Sequence, residues 1–344
     1  VEPVVKIGLV APFEGRYRYV GYDVIYAVRL ALREANAVGG VGGYRVELAA
    51  YDDQADPVLA VEQGRKLAVD PDVVAAIGHF REETSVASLS AYSQAGIPLV
   101  APAVLDPSLT WVGVEVYRLG PPAGALASAL VNHLKRSGQY QAALVTGGGP
   151  LGEALQQGVQ AYRVHIWPVV SPQETGWVEV VTGSGVPFVF CDADPVTAGE
   201  VISALRSAGW QGVFFGGPEL MAADFRGVAG ESAEGAVFVT PWPLPGDVAG
   251  GVDYSERYRG VSNGMPPGPL ALPAYEATWI LLEALERDIA AHGEPTREGM
   301  AEALLDTDRR GWLGSIAFGS GHQWGEAPLY WYRIDSEGVP VLLP

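Results

Sequence analysis

Apolar positions along this chain fall into short β-rich runs separated by segments with helical spacing. The run 4–10 reads as a strand. Residues 24–37 carry apolar residues at helical spacing and stop at Gly39-Gly40, a C-terminal cap signal. A strand over 45–51 ends in Asp52-Asp53, and a helix follows over 58–69. A continuous apolar strand over 73–77 ends in Gly78-His79, before a helix over 84–94 and a strand over 97–101. This β-α-β-α order predicts a parallel sheet with helices on both faces. The pattern then restarts, with helices over 123–136, 153–162 and 196–208. Strands interleave with them over 142–145, 165–170, 188–191, 213–215 and 236–239. Two α/β units of similar size follow one another.

The remainder is too sparse for a third unit. Pro243, Pro245, Gly246, Gly250 and Gly251 mark a loop after Pro241, and 264–269 is a second such stretch. Amphipathic helices over 275–291 and 297–305 cannot bury their faces alone, so they are expected to return to the first unit. Strands over 316–318 and 329–334 are expected to finish the two units separately. The predicted class is α/β, with two doubly wound parallel-sheet lobes joined by three crossovers around a ligand cleft. The N-terminal lobe takes 1–120 and 248–325; the C-terminal lobe takes 121–247 and 326–344. The crossovers near Pro121, Pro243 and Gly325 would act as hinges. Open α/β sheets bind ligands beyond the carboxyl ends of their strands. A ligand touching both lobes would shift the population toward the closed form.

Composition narrows the function. The 344 residues suit two domains. With 48% hydrophobic and 18% charged residues, the chain can build large cores. No run of about 20 apolar residues is present to span a membrane. A formal net charge of −18 repels phosphate backbones, which argues against nucleic acid as a partner. The same charge favours solubility and could attract cationic solutes. The single cysteine, Cys191, lies in an apolar run and reads as a small core residue. An intrachain disulfide and a cysteine metal cluster are both excluded. The chain begins Val1-Glu2-Pro3, without a basic stretch or an apolar signal core. A cytoplasmic protein and one whose signal has been removed stay open on that ground.

Seven segments, in order, resemble one family. They are Ile7–Pro12 with Gly21, Asn36-Ala37-Val38-Gly39-Gly40-Val41, Tyr51-Asp52-Asp53-Gln54-Ala55-Asp56-Pro57, Ile77-Gly78-His79, Gly96-Ile97-Pro98-Leu99-Val100-Ala101-Pro102-Ala103, Gly217-Pro218-Glu219 and Ala229–Gly235. Together they are similar to the leucine/isoleucine/valine-binding family of type I periplasmic binding proteins. The resemblance covers nearly the whole chain. It implies a two-lobed solute-binding protein, periplasmic or extracellular, that serves the membrane permease of an ABC transporter. It implies no enzyme activity and no cofactor, and a monomer is expected. An anchoring segment outside this sequence is compatible with it.

The resemblance carries binding roles over only in part. Ala103 stands where a backbone carbonyl receives the ligand ammonium, and Glu219 matches the acidic residue that pairs with it. A carboxylate and a carbonyl in a drying site suit a cationic nitrogen. The alternative for Glu219 is a solvated loop charge. The family serine that holds the ligand carboxylate is Glu82 here, and a helping threonine is Leu105. Family tyrosines fall on Val20, on Leu151 and near Asp194. A family disulfide is replaced as a pair by Ala55 and Arg81. Two readings of Glu82 stay open. It occupies the anion site at a helix N-terminus, or it turns to water while Thr84 or Ser85 caps the helix. Tyr17, Tyr19 and Tyr22 crowd the first loop, Phe80 is expected at the cleft edge, and Trp242 enters a crossover. Aromatic faces beside carboxylates suit an alkylammonium ligand. Each ring read alone is ordinary packing. Arg81 reads either as a guanidinium clamp for a carboxylate or as a surface charge.

Three tempting motifs compete with this. Gly147-Gly148-Gly149-Pro150-Leu151-Gly152 fits G-x-G-x-x-G between a strand and a helix, which makes an NAD(P)-dependent oxidoreductase the enzyme alternative. Pro150 interrupts the amides that would face phosphate, and no acidic residue clearly ends the next strand. Gly260-Val261-Ser262-Asn263-Gly264 matches G-x-S-x-G but lacks the strand and helix of a nucleophile elbow. The five histidines lack metal-ligand spacing, so no metal is expected, and His79 reads as structural. A ligand-sensing regulatory protein of the same fold is a further alternative, and it would need a separate partner protein.

Overall fold

The computed structural model describes residues 2–110, 115–319 and 321–344. The chain opens with β1 (Val4–Ala11), α1 (Arg18–Ala37), β2 (Arg45–Asp52), α2 (Pro57–Val69), β3 (Val73–Ile77), α3 (Glu82–Ala95), β4 (Leu99–Ala101) and β5 (Val116–Arg118). It continues through α4 (Ala123–Arg136), β6 (Gln141–Thr146), α5 (Pro150–Tyr162), β7 (His165–Val170) and α6 (Trp177–Gly183). Then come β8 (Phe188–Asp192), α7 (Pro195–Ser207), β9 (Val213–Gly216), α8 (Ala223–Ala229) and β10 (Val237–Thr240). It closes with α9 (Gly251–Arg259), α10 (Ala271–His292), α11 (Arg297–Leu305), β11 (Asp308–Gly311), β12 (Gly314–Ala317), β13 (Tyr330–Ile334) and β14 (Pro340–Leu342).

Two compact units result. The first is Val1–Pro121 with Trp242–Ala327; the second is Pro122–Pro241 with Pro328–Pro344. Residues 242–247 thus group with the first unit, as do α10 and α11. The first unit holds a five-stranded sheet in the order β2-β1-β3-β4-β5, parallel throughout. The second holds seven strands in the order β14-β13-β10-β9-β8-β6-β7. Its inner strands run parallel, while β13 and β14 add antiparallel.

The strand sequences match these places. β3 and β8 are buried at every position, as strands covered on both faces require. Full burial of each Val or Ile side chain in β3 contributes about 1.5–3 kcal/mol. β7 ends its sheet and alternates exposed and buried residues, so only one of its faces packs. Asp-Pro pairs start two helices by one device. Asp56 accepts from Val58 N and Leu59 N ahead of α2; Asp194 accepts from Val196 N and Thr197 N ahead of α7. Proline at the first helical position costs no hydrogen bond there.

The structure corrects several expectations. Residues 329–334 do extend the second sheet, as β13. Residues 316–318 do not extend the first. β12 instead pairs with β11 across the short Trp312-Leu313 turn, in a separate two-stranded sheet. The adjacent partner won because a hairpin closes with little entropy, and the first sheet receives only a bridge from Gln323 to Arg118. Helix α1 begins six residues early, so Tyr19 and Tyr22 lie on a helix rather than in a loop. Helix α9 lies between the two Pro/Gly-rich stretches and buries only Gly251, Tyr254 and Tyr258.

Candidate functional site

In the first unit the loops after β1, β2, β3 and β4 leave the carboxyl ends of parallel strands. Asp52 Oδ1 holds the first of them by accepting from Phe13 N at 2.8 Å. A buried trio supports the third. His79 Nδ1 lies 2.7 Å from Asp53 Oδ2, and its Nε2 lies 3.1 Å from the Tyr92 hydroxyl. Burial, with the Asp53 charge, pushes the Tyr92 phenol far above its ordinary range, so it remains neutral. Ser85 Oγ donates to the His79 carbonyl at 3.0 Å. Gly78 adopts φ +138°, and a Cβ there would collide with the Val10 carbonyl oxygen. His79 is structural, as its sequence context suggested.

Glu82 stands on this support as the first residue of α3. Its carboxylate reaches the loop after β4. Oε1 accepts from Leu105 N at 2.7 Å, and Oε2 accepts from Asp106 N at 3.3 Å. Arg118, at the end of β5, is fully buried. It donates to the Leu105 carbonyl at 3.1 Å and to Gln323 Oε1, while its Nε has no hydrogen-bond partner. Burial lowers the Arg118 pKa, and the Glu82 and Asp106 charges oppose that shift. Glu82, half-buried, is therefore bound to the loop after β4. The Thr84 and Ser85 hydroxyls donate to the Arg81 and His79 carbonyls, and Arg81 supplies no side-chain cap.

The other expected residues of this unit divide. Ala103 is half-buried on the turn after β4, on the same loop as Leu105, whose side chain is buried. Tyr17 is half-buried, with the Arg81 guanidinium 3.8 Å above its ring. Arg81 also lies 3.4 Å from Glu83. Tyr19 is half-buried in the first turn of α1. Phe80 and Trp242 are buried, and Trp242 Nε1 donates to the Leu119 carbonyl at 3.0 Å. Glu82, Ala103 and Leu105 are thus brought together, and Tyr17 joins Arg81. A groove of about 400 Å³ lined by Tyr92, Gly96, Ile97, Glu115 and Arg297 sits at the amino end of β4, away from these loops.

In the second unit, Glu219 is half-buried on the turn Pro218–Met221 after β9. Asp194 caps α7 and also accepts from Thr197 Oγ1 at 2.7 Å. Asp192 ends β8 and holds the glycine-rich loop. Its Oδ2 accepts from Gly152 N at 2.9 Å and from Thr146 Oγ1 at 3.0 Å. Burial pushes the Asp192 carboxyl up, against these donors. Burial and the charges of Asp192, Glu219 and Asp194 push the Cys191 thiol well up, which keeps it inert.

This arrangement decides the motifs. A Cβ on Gly149 would lie 2.8 Å from both Asp192 oxygens, and one on Gly152 would lie 2.6 Å from Oδ2. These glycines make room for the chain's own carboxylate, and a dinucleotide phosphate would meet that carboxylate. Ser262 is buried and donates to the Met265 carbonyl at 2.6 Å. Among the described residues no group of three or more His, Cys, Asp and Glu side chains could hold a metal. No helix of the described residues is long and apolar enough to cross a membrane. Sequence reasoning missed Arg118 and Asp192. The signals were a charged end on the β-rich triplet 116–118 and an Asp closing the apolar run 188–191.

Two parallel-sheet units built from one chain that passes between them three times define an α/β binding protein. The periplasmic binding protein family profile matches residues 4–339, and the chain belongs to that family of solute-binding proteins. It is 23% identical over 331 residues to the leucine-, isoleucine-, valine-, threonine- and alanine-binding protein of Pseudomonas aeruginosa, covering 91% of this chain and 85% of that one. Its fold is similar to that of a branched-chain amino acid transporter substrate-binding protein from Streptococcus pneumoniae in complex with isoleucine. That match has a TM-score of 0.87 at 18% identity and covers 99% and 100% of the two chains. It is similar as well to an ABC transporter solute-binding protein from R. palustris in complex with benzoate. There the TM-score is 0.84 at 18% identity, covering 99% and 95%.

Proposed function

We propose that this protein captures a small, amino-acid-sized, nitrogen-bearing solute outside the cytoplasm and delivers it, as a monomer, to the permease of an ABC transporter. The family match across 4–339 carries this reading. The ligands of similar proteins, branched-chain amino acids and benzoate, set the size of the solute. In the first unit the Ala103 carbonyl would accept a hydrogen bond from a solute N–H group, and in the second Glu219 would supply a carboxylate for a cationic nitrogen. Both belong to loops at strand carboxyl ends, where α/β sheets take ligands.

A thermal-shift panel of amino acids, amino-acid amides, polyamines, betaines, aromatic acids and NAD(P) tests the reading. A ligand at 100 times its dissociation constant adds about 2.7 kcal/mol to the folded state. A shift with NAD(P) alone would sink solute capture. Glu219→Ala is expected to weaken binding of the responding solute by about 2 kcal/mol or more, because a buried ammonium loses its counter-charge. Unchanged affinity in calorimetry would remove Glu219 from the site.

A further inference from the structure

Two backbone amides aimed at one point make a cradle for an anion. In the first unit such a cradle is already filled. The amides of Leu105 and Asp106 each donate to an oxygen of the Glu82 carboxylate. We propose that Glu82 is a built-in anion. It occupies this cradle permanently, so the solute bound at these strand ends presents no carboxylate there. The inference rests on the solute-binding reading above and names the class of solute, a primary amine or amide of amino-acid size.

Three observations carry it. The first is position. The cradle belongs to the loop after β4, and Glu82 opens the helix after β3, both at carboxyl ends of the parallel sheet. The second is rigidity. The segment leading into Glu82 is pinned by the buried His79, Asp53 and Tyr92 trio and by Ser85 on the His79 carbonyl. Swinging Glu82 away would strand two amide donors. The third is charge. The fully buried Arg118 feels the charges of Glu82 and Asp106 and holds the Leu105 carbonyl. A solute carboxylate would add a further negative charge to a corner where the buried Arg118 already feels the charges of two carboxylates. Arg81, one residue before Glu82, lies over Tyr17 and near Glu83. The Ala103 carbonyl on the same loop is an acceptor, which calls for N–H groups on a solute.

The test has two arms. The first needs no knowledge of the solute. Glu82→Ala empties the cradle, and acetate is titrated against its thermal unfolding, with chloride at matched ionic strength as control. Acetate is expected to raise the melting temperature of E82A above the chloride control and to leave the wild type unchanged. No acetate response in E82A, or an equal response in the wild type, overturns the proposal. The second arm compares valinamide with valine by calorimetry. The wild type is expected to prefer the amide by about tenfold or more. Glu82→Gln keeps an oxygen for one amide, so it folds where E82A fails, and it is expected to narrow that preference by removing the charge. A wild type that binds valine as tightly as valinamide overturns the proposal and leaves solute capture standing. A panel with no responding compound sinks solute capture, while the acetate arm still decides the role of Glu82.

Discussion

Glu82 in the first unit and Asp192 in the second do the same local task. Each is a carboxylate at the carboxyl end of a parallel sheet, and each satisfies backbone N–H groups of a neighbouring loop. Their surroundings differ. Glu82 shares its corner with the buried Arg118 guanidinium. Asp192 is held by Gly152 N and Thr146 Oγ1, with the carboxylate of Glu153 adding repulsion, and burial pushes its pKa up. Fixing a loop with a carboxylate is therefore cheap where a cation travels with it and costly where only neutral donors do. The two corners should respond differently to mutation and to pH.

The largest effect is expected at the cation. Arg118→Ala removes the charged donor to the Leu105 carbonyl and to Gln323 Oε1 and strands that buried carbonyl. Each hydrogen bond from a charged donor contributes about 1.5–3 kcal/mol, so the two together cost more than a single neutral contact. Asp192→Asn keeps one acceptor oxygen and strands no charge, so its loss should be smaller, about 1–3 kcal/mol. Urea unfolding of both variants checks the order, and equal losses would break the contrast between the two corners.

Titration sharpens the contrast. Burial raises the carboxyls of Asp192 and Glu276, and it raises Asp23 to about 6 despite the donors Gly268 N, Leu270 N and the Tyr258 hydroxyl. An acid with a raised folded-state pKa binds its proton more tightly folded than unfolded. Stability from such a group is therefore present at low pH and falls as pH rises from the ordinary 3.8 to about 6. For Asp23 the loss is at most about 3 kcal/mol. Relief of self-repulsion in a chain of net charge −18 acts in the same direction. The melting temperature should be higher at pH 5 than at pH 7, and Asp23→Asn should flatten the slope. A melting temperature that climbs over this interval would contradict the burial argument.

Much of the architecture was legible because it rests on local signals. The uniform apolar run of β3 and the Asp-Pro starts of α2 and α7 say what they are within a few residues. The failures involve partners that are not local signals. Residues 316–318 have a strand's composition, yet which strand they pair with was decided by the Asp308–Gly311 segment across a turn. Helix α9 offers only Tyr254 and Tyr258 as an apolar stripe, too thin to read. At the site, Glu82 stood out by residue type, but its partners lie 23 and 24 positions on, in a loop whose shape depends on β4 and β5. Arg118 carried even less signal, since an arginine at a strand end is ordinarily exposed.

Asp194 gives the smallest and most discriminating effect. The resemblance placed a family binding position near it, and the structure gives its carboxylate three hydrogen bonds at the start of α7. The cap and a solute contact make separable demands. A cap needs one acceptor oxygen, which asparagine supplies nearly as well as aspartate, whereas pairing with a cationic solute needs the charge. Asp194→Ala should cost about 1 kcal/mol of stability through the lost cap. Asp194→Asn should restore most of that stability. If Asp194 only caps, both variants bind the responding solute as the wild type does. If it faces the solute nitrogen, Asp194→Asn folds normally but loses affinity, and the second unit would then contribute two carboxylates, Asp194 and Glu219, to a solute whose own charge must be positive.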